Sequence, residues 1–84
     1  GSIMTFSDRP LILTDFKDAE LTVRPGQYEH VRVDGHSRGE PETRTTIDLD
    51  RKQAIEAALH MIYLALGENA ARAAEEALRA FATE

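Results

Sequence analysis

Cysteine is absent from the 84 residues, and so is tryptophan. Without thiols the chain can form neither disulfides nor thiolate zinc sites. That fits a reducing compartment, and the expected location is cytoplasmic. Long hydrophobic runs are absent too. Ala57 to Leu66, the most apolar stretch, contains His60 and falls well short of the roughly 18 residues of a membrane span. Met4 to Pro10 is polar and carries both Asp8 and Arg9, so no secretory signal is expected there. Gly1 to Ile3 read as a cloning remnant ahead of a start at Met4. Positive charge is scarce: 10 Lys and Arg stand against 15 Asp and Glu, a net charge of −5. An acidic chain is repelled by phosphates, which disfavours generic nucleic-acid binding. Gly35 and Gly39 fit neither a P-loop nor a dinucleotide fingerprint.

What is present divides at Asp50. The first half carries period-2 alternation. Leu11 to Phe16 reads as a short apolar strand, with a turn at Asp18-Ala19. Glu20 to Arg24 alternates around Leu21 and Val23, and Tyr28 to Asp34 alternates around Val31 and Val33. Pro25-Gly26 between them carries the signature of a type II turn, with Pro fixing φ and Gly supplying a positive φ. Gly35 to Pro41, with two Gly and a Pro, reads as a loop. Thr43 to Leu49 alternates again, with Thr45, Ile47 and Leu49 on one face. Asp50 then caps a helix, with Gln53 completing a capping box. That helix runs from Arg51 to Leu66, and Gly67 ends it. Asn69 suits the cap of a second helix over residues 70–82, with Arg72–Glu76 and Glu75–Arg79 as i,i+4 pairs. The fold class is therefore α+β: an antiparallel meander of three to four strands, then two helices packed on one face of it, as one small domain over residues 4–84.

The first helix has two apolar stripes. One holds Ile55, Ala58, Leu59, Ile62 and Leu66; the other holds Ala54, Ala57, Met61, Leu64 and Ala65. A helix that is apolar on two sides must be covered on two sides. The second helix, lined by Ala70, Ala74, Ala77, Leu78 and Phe81, offers little area. A domain of about 80 residues buries a thin core and often completes it with a second subunit. A homo-oligomer, a dimer first of all, is expected, with Ala57, Met61, Leu64 and Ala65 at its interface.

On the polar side of the sheet, alternation collects Thr22, Arg24, Tyr28, His30, Arg32, Arg44 and Thr46. Arg24, Tyr28, His30, Arg32 and Arg44 form the candidate partner-binding set, with Asp34 and Asp48 at its ends. Arginine offers bidentate contacts and tyrosine a stacking plane to an acidic partner. An ordinary solvated sheet face has the same composition. His30, His36 and His60 have no metal-ligand spacing, and no metal or cofactor is expected. His36-Ser37 lies in a stretch too glycine-rich to hold a catalytic triad rigidly, and no small-molecule substrate is evident.

Arg44 to Phe81 resembles a ribbon-helix-helix repressor. RTTIDLD stands where the ribbon would be, Arg51 to Leu66 where the first helix would be, and AARAAEEALRAF where the second would be. The resemblance implies a dimer whose outward ribbon residues, here Arg44, Thr46 and Asp48, read bases, and whose second helix clamps a phosphate near Asn69 and Ala70. More loosely, the whole chain resembles small uncharacterised α+β proteins of actinobacteria and their phages. Together these readings lead to the expectation of a non-enzymatic interaction or regulatory protein. It acts by binding a macromolecule, with a protein partner favoured over nucleic acid. A DNA-binding regulator is the alternative.

Overall fold

The computed structural model describes residues 6–82; the three residues read as a cloning remnant lie outside that range. The chain divides into two compact units, the first ending at Arg51 and the second beginning at Lys52. The architecture is α+β, a four-stranded antiparallel sheet followed by two helices.

The strands are β1 (Leu11–Thr14), β2 (Ala19–Pro25), β3 (Val31–Ser37) and β4 (Glu40–Leu49), in the spatial order β1-β2-β3-β4. A meander of this kind leaves β1 and β4 as the edges. Cross-strand register sorts the side chains into rows. Leu11, Val23, Val33 and Ile47 form one apolar row across all four strands. Leu13, Leu21, Gly35 and Thr45 form the next, and Val31 faces Leu49. The other face carries the row Ile12, Thr22, Asp34 and Thr46, and beside it Arg24, Arg32 and Asp48.

The turns differ from the sequence reading in three places. β1 stops at Thr14, not Phe16, because Asp15 folds the chain back on itself. Its Oδ1 accepts from the backbone N–H groups of Lys17 (2.8 Å) and Ala19 (2.9 Å), and Asp18 takes φ 63°. Phe16 is left exposed in this turn. The Pro25-Gly26 pair does not make a type II turn. Gly26 is extended, with φ −103°, and the positive φ values fall on Tyr28 and Glu29 in a short 3₁₀ segment, Gln27–Glu29. Gly26 makes a close approach instead: a Cβ there would lie 3.2 Å from the His30 carbonyl oxygen, tight enough that the neighbouring backbone would have to give slightly. β3 therefore starts at Val31, and Tyr28 belongs to the loop. Finally, the expected loop over residues 35–41 is mostly strand. The chain reverses at Arg38-Gly39, where Gly39 has φ 79°, and Ser37 faces Glu40. A bulge between Gly35 and Ser37 absorbs the change of register, and the Thr43 hydroxyl plugs it, accepting from the Ser37 N–H and donating to the Glu40 carbonyl. Pro41 fits in β4 because an edge strand need not donate on its outer side.

Helix α1 spans Arg51–Leu66 and α2 spans Glu68–Ala82. α1 begins directly after Asp50, and its C-terminus is closed by Gly67, whose N–H donates to the Tyr63 carbonyl at 2.8 Å. Gly67 sits at φ 98° with nothing near its would-be Cβ, so any cost of a side chain there is conformational. Gly67→Ala is expected to cost about 1 kcal/mol in urea denaturation; an unchanged midpoint would mean that the turn can relax. α2 starts two residues earlier than expected. The Gly67 carbonyl accepts from Ala71 N–H, which places Asn69 inside the first turn rather than at the cap. The ion pairs on α2 also take other partners than expected: Arg72 reaches Glu68 and Glu75, and Arg79 reaches Glu76.

Among the described residues no hydrophobic side chain is buried, and Asp34 is the one polar side chain that is. On the apolar sheet face Leu21, Val23, Val31, Val33 and Leu49 are half-buried, while Leu11, Leu13 and Ile47 on the edge strands are exposed.

Candidate functional site

The polar face of β2, β3 and β4 gathers the nominated cations, but around two carboxylates. Asp34 lies mid-strand because β3 runs on to Ser37. It stands at the centre of the group, not at its end, with only 4% of its surface exposed. Its Oδ1 accepts from the Thr46 hydroxyl, and its Oδ2 meets Arg24 Nη2 at 2.9 Å. The Thr46 hydrogen bond, then the charges of Arg24, Arg44 and Arg32, hold the Asp34 carboxyl below the usual carboxylate range against the opposing effect of burial. Asp48 is gripped by Arg32 through a fork, Nε to Oδ1 at 2.8 Å and Nη2 to Oδ2 at 3.3 Å. That bond, with Arg32 and His30 nearby, likewise lowers the Asp48 pKa. Bidentate guanidinium–carboxylate geometry of this kind fixes both partners.

Two of the three arginines are thus committed. Arg24 and Arg32 hold the sheet's own aspartates, and Arg24 Nε is buried without a hydrogen-bond partner. Arg44 differs. It is close enough to act on Asp34, yet it makes no ion pair among the described residues. Tyr28 stands outside the strands at 88% exposure, its ring edge-on to His30 with centroids 6.5 Å apart. The five nominated residues therefore resolve into a structural pair (Arg24 and Arg32), an aromatic pair at the loop (Tyr28 and His30) and one uncommitted cation, Arg44. Charge reversal at Arg24 and Arg32 would remove both aspartates' ion pairs, so neither arginine tests docking without disturbing the sheet.

At the end of the sheet that holds the Gln27–Glu29 segment, an apolar groove of about 670 Å³ is lined by Phe6, Pro10, Leu11, Val23, Pro25 and Val31, among others. At the opposite end the two hairpin turns are tied together. Arg38 N–H donates to the Asp18 carbonyl at 2.7 Å, and its guanidinium reaches Glu20 at 3.5 Å.

In the helical unit, α1 carries apolar side chains around most of its circumference, whereas α2 is sharply one-sided. Of the residues nominated for a subunit interface, Met61, Leu64 and Ala65 are exposed and Ala57 is half-buried. Met61 and Leu64 expose 63% and 70% of their surface. The cleft of about 320 Å³ between the two helices is lined on α2 by Glu68, Ala71, Arg72 and Glu75, not by that helix's apolar stripe. His60 stands in this cleft beside Tyr63, with ring centroids 5.9 Å apart. His36 is elsewhere, its Nδ1 2.9 Å from the Ser37 carbonyl. No cluster of three His, Asp or Glu among the described residues could hold a metal ion. No described helix is long and apolar enough to cross a membrane.

Set against protein-family models, characterised proteins and solved structures, the chain matches none of them.

Proposed function

We propose that this chain is a small non-enzymatic interaction protein that works as a homo-oligomer and acts by binding a macromolecular partner, a protein rather than a nucleic acid. One observation carries the reading: α1 is apolar around most of its circumference, and Met61, Leu64 and Leu66 stand exposed on it. Each such side chain contributes about 1.5–3 kcal/mol when fully buried. Folding must overcome roughly 1–2 kcal/mol of backbone entropy per residue. Each of the two units, with no fully buried apolar residue among those described, gains only a thin margin from its own contacts. Association supplies the missing burial. The neutralised arginines support a protein partner, because a nucleic-acid face needs free cations.

Light scattering decides the first half. A mass of at least twice 9.4 kDa is expected at micromolar concentration; a monomeric mass at high micromolar concentration would refute it. Pull-down with the wild type and with Tyr28→Ala tests the partner face, since Tyr28 is exposed and stands outside the strands, and unchanged capture by the variant would remove Tyr28 from it. A second reading, a ribbon-type DNA-binding regulator, is favoured by the position of β4 at a sheet edge with Arg44, Thr46 and Asp48 on one face. It requires a duplex mobility shift that weakens with salt and is abolished by Arg44→Ala; a chain that ignores DNA at low salt excludes it.

A further inference from the structure

The outer edge of β4 has no strand beside it among the described residues. Edge strands usually carry protection: charge pointing inward, brevity, or a bulge. β4 has its protection, Pro41 and the bulge opposite it, at one end only, before Thr45, and residues 45–49 keep regular register with β3. We propose that this edge pairs antiparallel with β4 of a second copy of the chain, with Thr46 on the two-fold axis, so that two four-stranded sheets join into one of eight strands. The proposal rests on the association argued above and adds to the exposed face of α1 a second surface, one that sets the register of the two copies.

The partner follows from charge complementarity. An antiparallel join that keeps the apolar faces together must pair residues of like parity, which puts a residue, not a peptide bond, on the axis. Only a few registers then fit. With Arg44 on the axis, arginine faces arginine. With Thr45 there, Glu42 faces Asp48. With Asp48 there, aspartate faces aspartate. Like charges directly opposite are destabilising. With Ile47 on the axis, the join shortens and Arg44 must reach Asp50, next to the start of α1. With Thr46 on the axis, Arg44 faces Asp48 of the second copy twice over, and threonine faces threonine. On the other face Thr45 meets Ile47 and Thr43 meets Leu49. The strand is self-complementary in this register.

The existing geometry suits it. Arg44 has no ion pair among the described residues, and Asp48 is already aligned by Arg32 with about two-fifths of its side chain open to solvent. An ionised carboxylate can accept from two guanidinium groups. The join would extend the Arg32–Asp48 fork into a ladder ending on Arg44 of the second copy. β1, the other edge, is a four-residue strand with no charge to set a register. In this assembly Arg44 is an interface residue, which explains why it stands uncommitted in the single chain.

Charge reversal tests the register. Arg44→Asp and Asp48→Arg should each weaken self-association about tenfold or more, since each places like charges opposite twice. Mixed together, the two variants should recover a dimer. In the mixed pair, position 44 of each chain again faces an opposite charge at position 48 of the other. A second measurement does not depend on how Asp48→Arg folds. The chain has no cysteine of its own, so Thr46→Cys should give a disulfide-linked dimer with oxidised glutathione, while Thr22→Cys on the inner strand β2 should not. Wild-type association in Arg44→Asp, together with no cross-link at 46, would overturn the β4 join and leave association to another surface. A wild-type chain that is monomeric would overturn the association reading itself.

Discussion

Asp34→Ala is expected to lower the melting midpoint by roughly 10 °C, more than any other single polar substitution in the sheet. The reason is what the substitution leaves behind. Arg24 already has one buried nitrogen without a partner, and loss of Asp34 takes away its ion pair as well. The Thr46 hydroxyl loses its acceptor on the same face. Asp34→Asn should fall between wild type and alanine, since an amide oxygen can still accept from Thr46 but offers Arg24 no charge. The tyrosines make the measurement specific: in a Tyr63→Phe background, Tyr28 fluorescence reports on the sheet unit alone. The same group sets an acid limb. In the folded chain the Asp34 and Asp48 carboxyls titrate below their usual range. Their stabilisation is therefore complete above about pH 4 and is lost as pH falls through the lowered values. Wild-type stability should be flat through neutral pH and decline below about pH 4, with a shallower decline in Asp34→Ala. An equal slope in both would remove Asp34 from the acid response.

That Asp34 matters this much is not legible in the sequence, and the cause is Gly35. Gly35, Gly39 and Pro41 spaced over seven residues look like a loop, which makes Asp34 the last residue of a strand. In the structure Gly35 is an ordinary strand position facing Thr45, and only Gly39 needs its conformational freedom. The alternation Val31, Val33 already points past Asp34, and the seven residues Thr43 to Leu49 need a neighbour of comparable length. Composition outweighs period there. Tyr28 falls in the loop for a related reason: two non-glycine residues, Tyr28 and Glu29, take the positive φ expected of Gly26. The helices are easier. α1 matches its expected bounds because both stops are local, an aspartate before Arg51 and a glycine after Leu66. Which arginines are free is legible only from register, because Arg24 and Arg32 find their aspartates across strands and not along them.

The double variant Met61→Glu with Leu64→Glu is expected to leave α1 helical and to abolish self-association at micromolar concentration. Both side chains are exposed in the single chain, so the substitutions open no cavity, and glutamate is a good helix former. Burial of two large apolar side chains in an interface contributes about 3 kcal/mol or more, which corresponds to a weakening of roughly a hundredfold or more on their loss. Circular dichroism should therefore be nearly unchanged while the mass falls toward 9.4 kDa. A retained oligomer with intact helicity would remove this face of α1 from the interface. Set beside Arg44→Asp, the result also separates two contributions to one assembly. In the proposed assembly the β4 edge would supply directional backbone and charge pairing, which sets register, and α1 would supply apolar area, which sets affinity. Loss of register alone should weaken association and leave Thr46→Cys cross-linking less efficient. Loss of the helix face should release the chains altogether, because a single strand pair buries far less than the roughly 800 Å² per partner typical of a stable interface.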